Sequence, residues 1–180
     1  MVSKKKYIIG CLGFLLVFIL QTTVLKHIAI LGWSPNVLLC LVAVCSFLYE
    51  EKIGLVYGII FGLLLDLVTG PFIGPSAIAF TLVYLIALAL RTVFSYERII
   101  PELLLAGIST PLYSFSVWLL STLAGHPISI ILVLRSLPVL LIYNGIIIIL
   151  LHLLLVRTAT RNKKDTKIKD KFIYRGGFNS

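Results

Sequence analysis

Six apolar runs dominate the pattern of hydrophobic and polar positions along the chain. They cover approximately residues 7–24, 36–49, 53–67, 76–90, 100–123 and 139–156. Only ten charged residues lie between Tyr7 and Val156. Because a helix that crosses a bilayer needs about 20 mostly apolar residues, the pattern predicts an all-α integral membrane protein with six transmembrane helices in a bundle. Several runs are shorter than that, and we expect apolar loop residues or neighbouring helices to shield them.

Glycine, proline and charged residues separate these runs. The breaks are predicted at 32–35, 50–52, 70–75, 95–98 and 125–127. The segment 128–138 contains Arg135 and Pro138 and is too short to span a membrane. We therefore expect it to lie at the membrane interface, before the last helix.

The composition excludes a water-soluble domain. The chain is 59% hydrophobic and 13% charged, whereas soluble domains are about 45–50% apolar and about 25% charged. The apolar content also excludes intrinsic disorder. Cys11, Cys40 and Cys45 each lie within an apolar run, where thiols behave as small apolar groups, so they indicate neither disulfides nor a zinc site.

Basic residues are distributed unevenly over the two sides of a six-helix bundle. With both termini in the cytoplasm, fourteen of the sixteen lysine and arginine residues lie on the cytoplasmic side, and only Lys26 and Arg135 lie on the other. Since basic loop residues favour the cytoplasmic side, both termini are predicted to be cytoplasmic. The chain then divides into a cytoplasmic N-terminus (1–6), a six-helix membrane domain (7–156) and a basic cytoplasmic tail (157–180).

The tail carries eight basic and two acidic residues. This composition favours a solvated segment that rests on anionic membrane lipids, at about 1 kcal/mol for each basic residue near the surface. A docking site for a cytoplasmic protein is the alternative interpretation. A nucleic-acid partner would depend on the tail's charge alone and is not predicted.

Gly54, Gly58 and Gly62 recur every four residues within the third run and form one smooth stripe on a helix. Small residues let helix backbones approach closely in a membrane. The stripe therefore predicts either packing inside the bundle or contact with a partner's transmembrane helix.

Two polar residues in the apolar runs are candidates for structural roles. We interpret Asp66 as the only acidic residue within a span, where it is expected to brace the link to the fourth helix near Ser76. Asn144 lies in the last run, where an amide usually bonds across helices. A transport or proton-relay role for Asp66 is the less favoured alternative.

No pattern for enzyme chemistry is visible. His27, His126 and His152 lie in separate regions without metal-ligand spacing, and there is no nucleophile or phosphate-loop motif. We predict no catalytic residue, no cofactor and no metal.

Motifs across nearly the whole length resemble the rod shape-determining protein MreD family of bacteria. They are Gln21-Thr22-Thr23, the segment Pro35–Leu39, a G-x-x-x-G-x-x-x-D pattern from Gly58 to Asp66 followed by Gly70-Pro71, and the segment Leu140–Asn144. Asn36 stands where the family often has aspartate. The resemblance rests on the order and spacing of these motifs together with the length and the basic tail.

The resemblance implies a non-enzymatic, multi-pass subunit of the cell-elongation machinery in the bacterial cytoplasmic membrane. Such subunits pair with the single-span membrane protein MreC. Through it they influence MreB filaments, the polymerase RodA and a class B penicillin-binding protein during lateral peptidoglycan synthesis.

An energy-coupling-factor vitamin transporter offers the main alternative, since its substrate-binding membrane subunit has a similar length and helix count. Such subunits typically carry an alanine-rich motif in the first helix. Here the run from Tyr7 to Leu20 has only Gly10 and Gly13 as small residues besides Cys11.

Overall fold

The computed structural model of the chain describes residues 4–27, 33–49, 52–70, 73–94 and 99–176, and for 4–6, 26 and 157–176 only the course of the backbone. These residues form six α-helices and no strand, with one short 3-10 turn at Leu25–His27. The helices are α1 (Lys4–Thr23), α2 (Val37–Leu48), α3 (Ile53–Thr69), α4 (Pro75–Val93), α5 (Ile100–Leu123) and α6 (Ile130–Gly176). The prediction of an all-α chain with six helices is confirmed. Most residues of the predicted breaks at 50–52 and 95–98 lie outside the described part.

The helices fall into two classes of length. Within the described residues, three helical segments are long and apolar enough to cross a membrane, namely Pro75–Val93, Ile100–Leu123 and Ile130–Val156. The apolar parts of α1, α2 and α3 are shorter. At 1.5 Å per residue, the 12 residues of α2 rise about 18 Å, against a hydrocarbon core of about 30 Å.

The short helix α2 forms the centre of the bundle. Every residue from Leu38 to Leu48 is buried, and α2 packs against all five other helices. A helix that is apolar all round is stable where it is enclosed on all sides. Neighbouring helices therefore shield α2, as expected for a run too short to span alone.

Helix α1 lies at the edge of the bundle. Most of its apolar side chains are exposed, and Phe14, at 1% exposure, is its anchor. The Phe14 ring lies 5.4 Å from the ring of Tyr57 and 5.8 Å from the ring of Phe61, measured between centroids. The Tyr57 hydroxyl donates to the backbone carbonyl of Tyr7 at 2.7 Å. Aromatic packing and one hydrogen bond thus hold α1 against α3.

Helix α6 is longer than predicted at both ends. The prediction that residues 130–138 precede the last helix is wrong, because they form the first turns of α6 in one helix with the predicted run 139–156. Pro138 lies inside this helix, a position that membrane helices tolerate because neighbours satisfy the freed backbone group. The turn before α6 does occur as predicted, with Gly125 at a φ of +82°. Beyond Val156 the helical backbone continues to Gly176.

The bundle has two distinguishable ends. Residues beside the α1–α2, α3–α4 and α5–α6 links meet around shared cavities, and we call this the link end. At the opposite end, the guanidinium of Arg91 donates to the backbone carbonyl of Tyr49 at 2.6 Å. This contact joins the end of α4 to the end of α2.

Candidate functional site at the link end of the bundle

Gln21 and Asn36 connect the end of α1 to the start of α2. The Gln21 amide nitrogen donates to Asn36 Oδ1 at 3.1 Å, while Gln21 Oε1 accepts from the backbone N–H of Leu38 at 3.1 Å. Asn36 Oδ1 also accepts from the backbone N–H of Leu39 at 3.0 Å and so caps α2. Asparagine is among the preferred residues at this position because its short side chain reaches the free N–H groups of the first turn.

Asn144 extends this network to α5 and α6. Its Oδ1 accepts from the backbone N–H of Asn36 at 3.2 Å, and its Nδ2 donates to the Thr110 hydroxyl at 3.0 Å. The Cys40 thiol donates to the backbone carbonyl of Asn144 at 3.6 Å. One buried amide therefore joins α2, α5 and α6 where lipid offers no competing hydrogen bonds.

Asp66 lies at the end of α3 and is 5% exposed. Its carboxylate accepts from the backbone N–H of Gly74 at 2.9 Å and from that of Ser76 at 3.0 Å. Gly74 has a φ of +127°, a conformation that side-chain-bearing residues rarely adopt. Because a helix N-terminus presents unpaired N–H groups and a partial positive charge, the carboxylate stabilises both the α3–α4 turn and the start of α4.

Two hydroxyl groups link the start of α4 to α5. The oxygen atoms of the Ser76 and Tyr113 side chains lie 3.3 Å apart. Tyr113 also packs its ring against that of Phe80, with centroids 6.0 Å apart. The region around Asp66 is thereby connected to α5.

The glycine stripe of α3 faces two different helices. A Cβ atom at Gly54 would overlap the Ser46 hydroxyl on α2, and one at Gly58 would lie 3.4 Å from Val42 on α2 and 3.5 Å from Phe80 on α4. At Gly62 it would lie only 2.8 Å from the Cα of Ala77, in the first turn of α4. The stripe is therefore occupied by contacts within the chain.

Two adjoining cavities open beside the polar network. The first has a volume of about 360 Å³, and its lining includes Gln21, Asn36 and Asn144 together with the rings of Trp33, Tyr113 and Trp118. The second, of about 410 Å³, contains Asp66 and His126 in its lining. Thr69, Tyr113, Val117 and Ile128 line both cavities. Asp66 and Asn144, the residues predicted as structural, thus border these two adjoining cavities, which we call the recess.

Glu102 and His152 form a second polar contact that the sequence analysis missed. Glu102 lies in the first turn of α5 with 0% exposure, so the interpretation of Asp66 as the only acidic residue within a span is wrong. Glu102 Oε1 lies 2.9 Å from Nδ1 of His152 on α6. The sequence does show one ionisable residue in each of two apolar runs, which could have suggested a contact. Because 50 positions separate the two residues, only the packing of α5 against α6 shows that they meet.

The described residues contain no group of three or more histidine, cysteine, aspartate or glutamate side chains that could hold a metal ion. At the link end, amides, hydroxyls and one carboxylate bond to one another and to helix N-termini. This arrangement can join helices and can offer hydrogen bonds to a ligand in the recess.

Comparison with known families gives one match. The model of the family described as rod shape-determining protein MreD matches residues 1–159. No curated protein and no solved structure matches the chain. Gln21, Asn36, Asp66 and Asn144, which lie in the motifs that carry the resemblance, are the residues that the structure brings together at the link end.

Proposed function

Since the chain belongs to the MreD family of rod shape-determining proteins, we propose that it is a non-enzymatic membrane scaffold of the bacterial cell-elongation complex. It pairs with an MreC-like single-span membrane protein. Through that partner it acts on MreB filaments, on RodA and on a class B penicillin-binding protein to direct lateral peptidoglycan synthesis. The family match over residues 1–159 is the observation that carries this proposal.

The bonding of the motif residues supports a scaffolding role. Gln21 and Asn36 join α1 to α2, Asn144 joins α2, α5 and α6, and Asp66 holds the start of α4. Each of these side chains fixes the position of one helix relative to another. A rigid arrangement of helices is what a scaffold needs in order to hold a partner.

The proposed membrane arrangement has six spans with both termini in the cytoplasm, in the bacterial inner membrane. Asymmetry of the basic residues supports the orientation. Helix α2 is too short to cross the hydrocarbon core by itself. Its enclosure by the five other helices supports counting it as one of the six spans. Residues 1–6 and 157–180 are then the cytoplasmic segments, and the basic tail lies next to anionic lipids.

The contacts of the glycine stripe bear on where a partner helix can bind. Ser46, Val42, Phe80 and Ala77 already occupy the positions next to Gly54, Gly58 and Gly62. We infer that the stripe serves internal packing, and that MreC binds to the outward-facing apolar surface. The exposed face of α1, with Ile8, Ile9 and Leu12, belongs to that surface.

Affinity purification from gently solubilised native membranes tests the proposal. A tag on the full chain is expected to recover MreC, whereas an unrelated tagged multi-pass protein from the same membranes serves as control and is expected not to. Recovery of the ATPase subunits of an energy-coupling-factor transporter without MreC would contradict the proposal and support the transporter alternative.

A further inference from the structure

The recess at the link end has the dimensions of a small-molecule site. Its first cavity measures about 360 Å³, near the lower end of the range of ligand sites, about 300–1,000 Å³. Such sites combine apolar and aromatic walls with a few placed polar groups. The side chains of Trp33, Tyr113 and Trp118 form aromatic walls here, and Gln21, Asn36 and Asn144 contribute amides.

The charge of the lining restricts the class of ligand. The described residues that line the two cavities include no lysine or arginine, so a phosphate or carboxylate would lose its hydration there without gaining a strong cationic partner. The carboxylate of Asp66 already accepts from the backbone N–H groups of Gly74 and Ser76. It is therefore committed to the fold and does not favour a cationic ligand.

The hydrogen-bonding groups indicate what an uncharged ligand would carry. Amides and hydroxyls both donate and accept, and the hydroxyls of Ser34 and Ser114 line the first cavity without a hydrogen bond to another described residue. The amides of Gln21, Asn36 and Asn144 are fixed by their mutual bonds and so form a rigid floor. Indole rings present an apolar face that matches the C–H face of a sugar ring. Trp33 offers such a ring here, whereas Trp118 donates its N–H to the Ile128 carbonyl at 3.0 Å and packs its ring beside that of Phe115.

From these features we propose that the recess is a binding site for an uncharged sugar, with the ring against Trp33 and its hydroxyl groups toward Ser34 and Ser114. Because a ligand of this size forms few contacts, a dissociation constant on the order of 1 mM is expected. The site is distinct from the outward-facing surface proposed for MreC.

Tryptophan fluorescence gives a local readout, because the chain has only two tryptophans, Trp33 and Trp118, and both line the cavity. Titration of the purified full chain in detergent with N-acetylglucosamine is expected to change the emission saturably. Glucosamine and N-acetylglucosamine 1-phosphate, which carry charges, are expected to bind at least tenfold more weakly.

Matched variants on α5 separate binding at this site from a general effect of the sugar. Ser114→Leu places an apolar side chain in the cavity and is expected to weaken binding at least tenfold. Ser116→Leu lies two residues away, outside the cavity lining, and is expected to leave binding unchanged. Ser34→Leu, at an exposed position of the cavity wall, provides a second test should Ser114→Leu fail to fold.

Three results would overturn the proposal. One is the absence of a saturable change with N-acetylglucosamine in the folded wild-type protein. The second is tighter binding of the phosphorylated sugar, and the third is equal binding by Ser34→Leu, Ser114→Leu and wild type, since either shows that the sugar does not bind in this recess as proposed. None of these outcomes depends on whether MreC is the partner.

Discussion

At the scale of single residues, the polar side chains inside this apolar chain hold its helices in register. Asp66 stabilises the start of α4, and Asn144 bonds to both α2 and α5. An unsatisfied polar group is costly where no water can replace the lost bond. These few residues therefore have a larger effect on the fold than their number suggests.

Substitution of Asp66 tests its role at the α3–α4 turn. Asp66→Ala leaves the N–H groups of Gly74 and Ser76 without their acceptor and is expected to lower the free energy of unfolding by about 2–3 kcal/mol. Asp66→Asn keeps one acceptor oxygen and is expected to lose about half as much. Thermal unfolding in detergent, followed by circular dichroism, measures both.

Thr69→Val is the matched control for Asp66. Thr69 lies at the same end of α3, is exposed, and bonds only to the Leu65 carbonyl within its own helix, so its replacement is expected to change stability little. Wild-type unfolding of Asp66→Ala combined with lost cellular function would contradict the bracing role. That pair of results would indicate direct contact between Asp66 and a partner.

The contact of Asp66 with the start of α4 could be predicted from the sequence because the link is short and the order of the helices is fixed. Glu102 and His152 could not be paired in the same way. Their contact depends on the crossing of α5 and α6, which local patterns do not determine. The cavity around Trp33 and Trp118 likewise arises from five separate chain segments.

At the scale of helices, close backbone approach explains the glycine stripe. α3 passes along α2 at Gly54 and Gly58 and then reaches the first turn of α4 at Gly62. Because lipid provides no hydrophobic drive for association, such close contacts supply much of the attraction between membrane helices. The glycines thus face neighbours of different rigidity. Gly62 faces backbone atoms of α4, whereas Gly58 faces side-chain atoms of Val42 and Phe80.

Alanine substitutions along α3 test this difference. Gly62→Ala brings a Cβ within 2.8 Å of the Ala77 backbone, which cannot move aside as a flexible side chain can, and is expected to cost about 1–3 kcal/mol. Gly58→Ala, whose Cβ would lie 3.4 Å from the side chain of Val42, is expected to cost less. Thermal unfolding in detergent measures the order.

Gly107→Ala provides the control, because a Cβ at this helical position meets nothing within 4 Å. It is expected to be at least as stable as wild type, because alanine favours a helix more than glycine does. If Gly62→Ala unfolds like wild type, close packing of α3 on α4 does not stabilise the bundle as proposed.

Apolar runs and the breaks between them predicted where each helix lies, and the boundaries of α2 and α3 agree closely with the runs. They did not predict the start of α6. A proline and an arginine in residues 130–138 indicated a break, whereas the surrounding isoleucines and leucines continue the helix through Pro138. For the short run of α2, the sequence left open whether apolar loop residues or neighbouring helices shield it. In the structure, neighbouring helices enclose it.

At the scale of the whole molecule, the distribution of basic residues determines the proposed orientation. Basic residues lie mainly beside the termini and the α2–α3 and α4–α5 links, whereas the recess opens at the other end. The proposed orientation thus places the recess outside the cytoplasm, on the side where the cell wall is assembled.

Cysteine labelling tests this orientation. Cys40 and Cys45 are buried, so Cys11→Ser removes the exposed native thiol, and single cysteines are then introduced in place of Ser34 or Asn179. An impermeant thiol reagent applied to intact cells is expected to label position 34 and not position 179, while permeabilised cells serve as control and label both. Labelling of position 179 in intact cells would contradict the six-span arrangement.

Depletion of this protein in a rod-shaped host tests most directly whether it is a scaffold for cell shape. Cell width and length are measured by microscopy during depletion and after re-expression of wild type, and growth is measured with and without added vitamins. The proposed function predicts rounded, widened cells that regain rod shape on re-expression, without any vitamin requirement. Depleted cells that remain rods of normal width but need an added vitamin would contradict it.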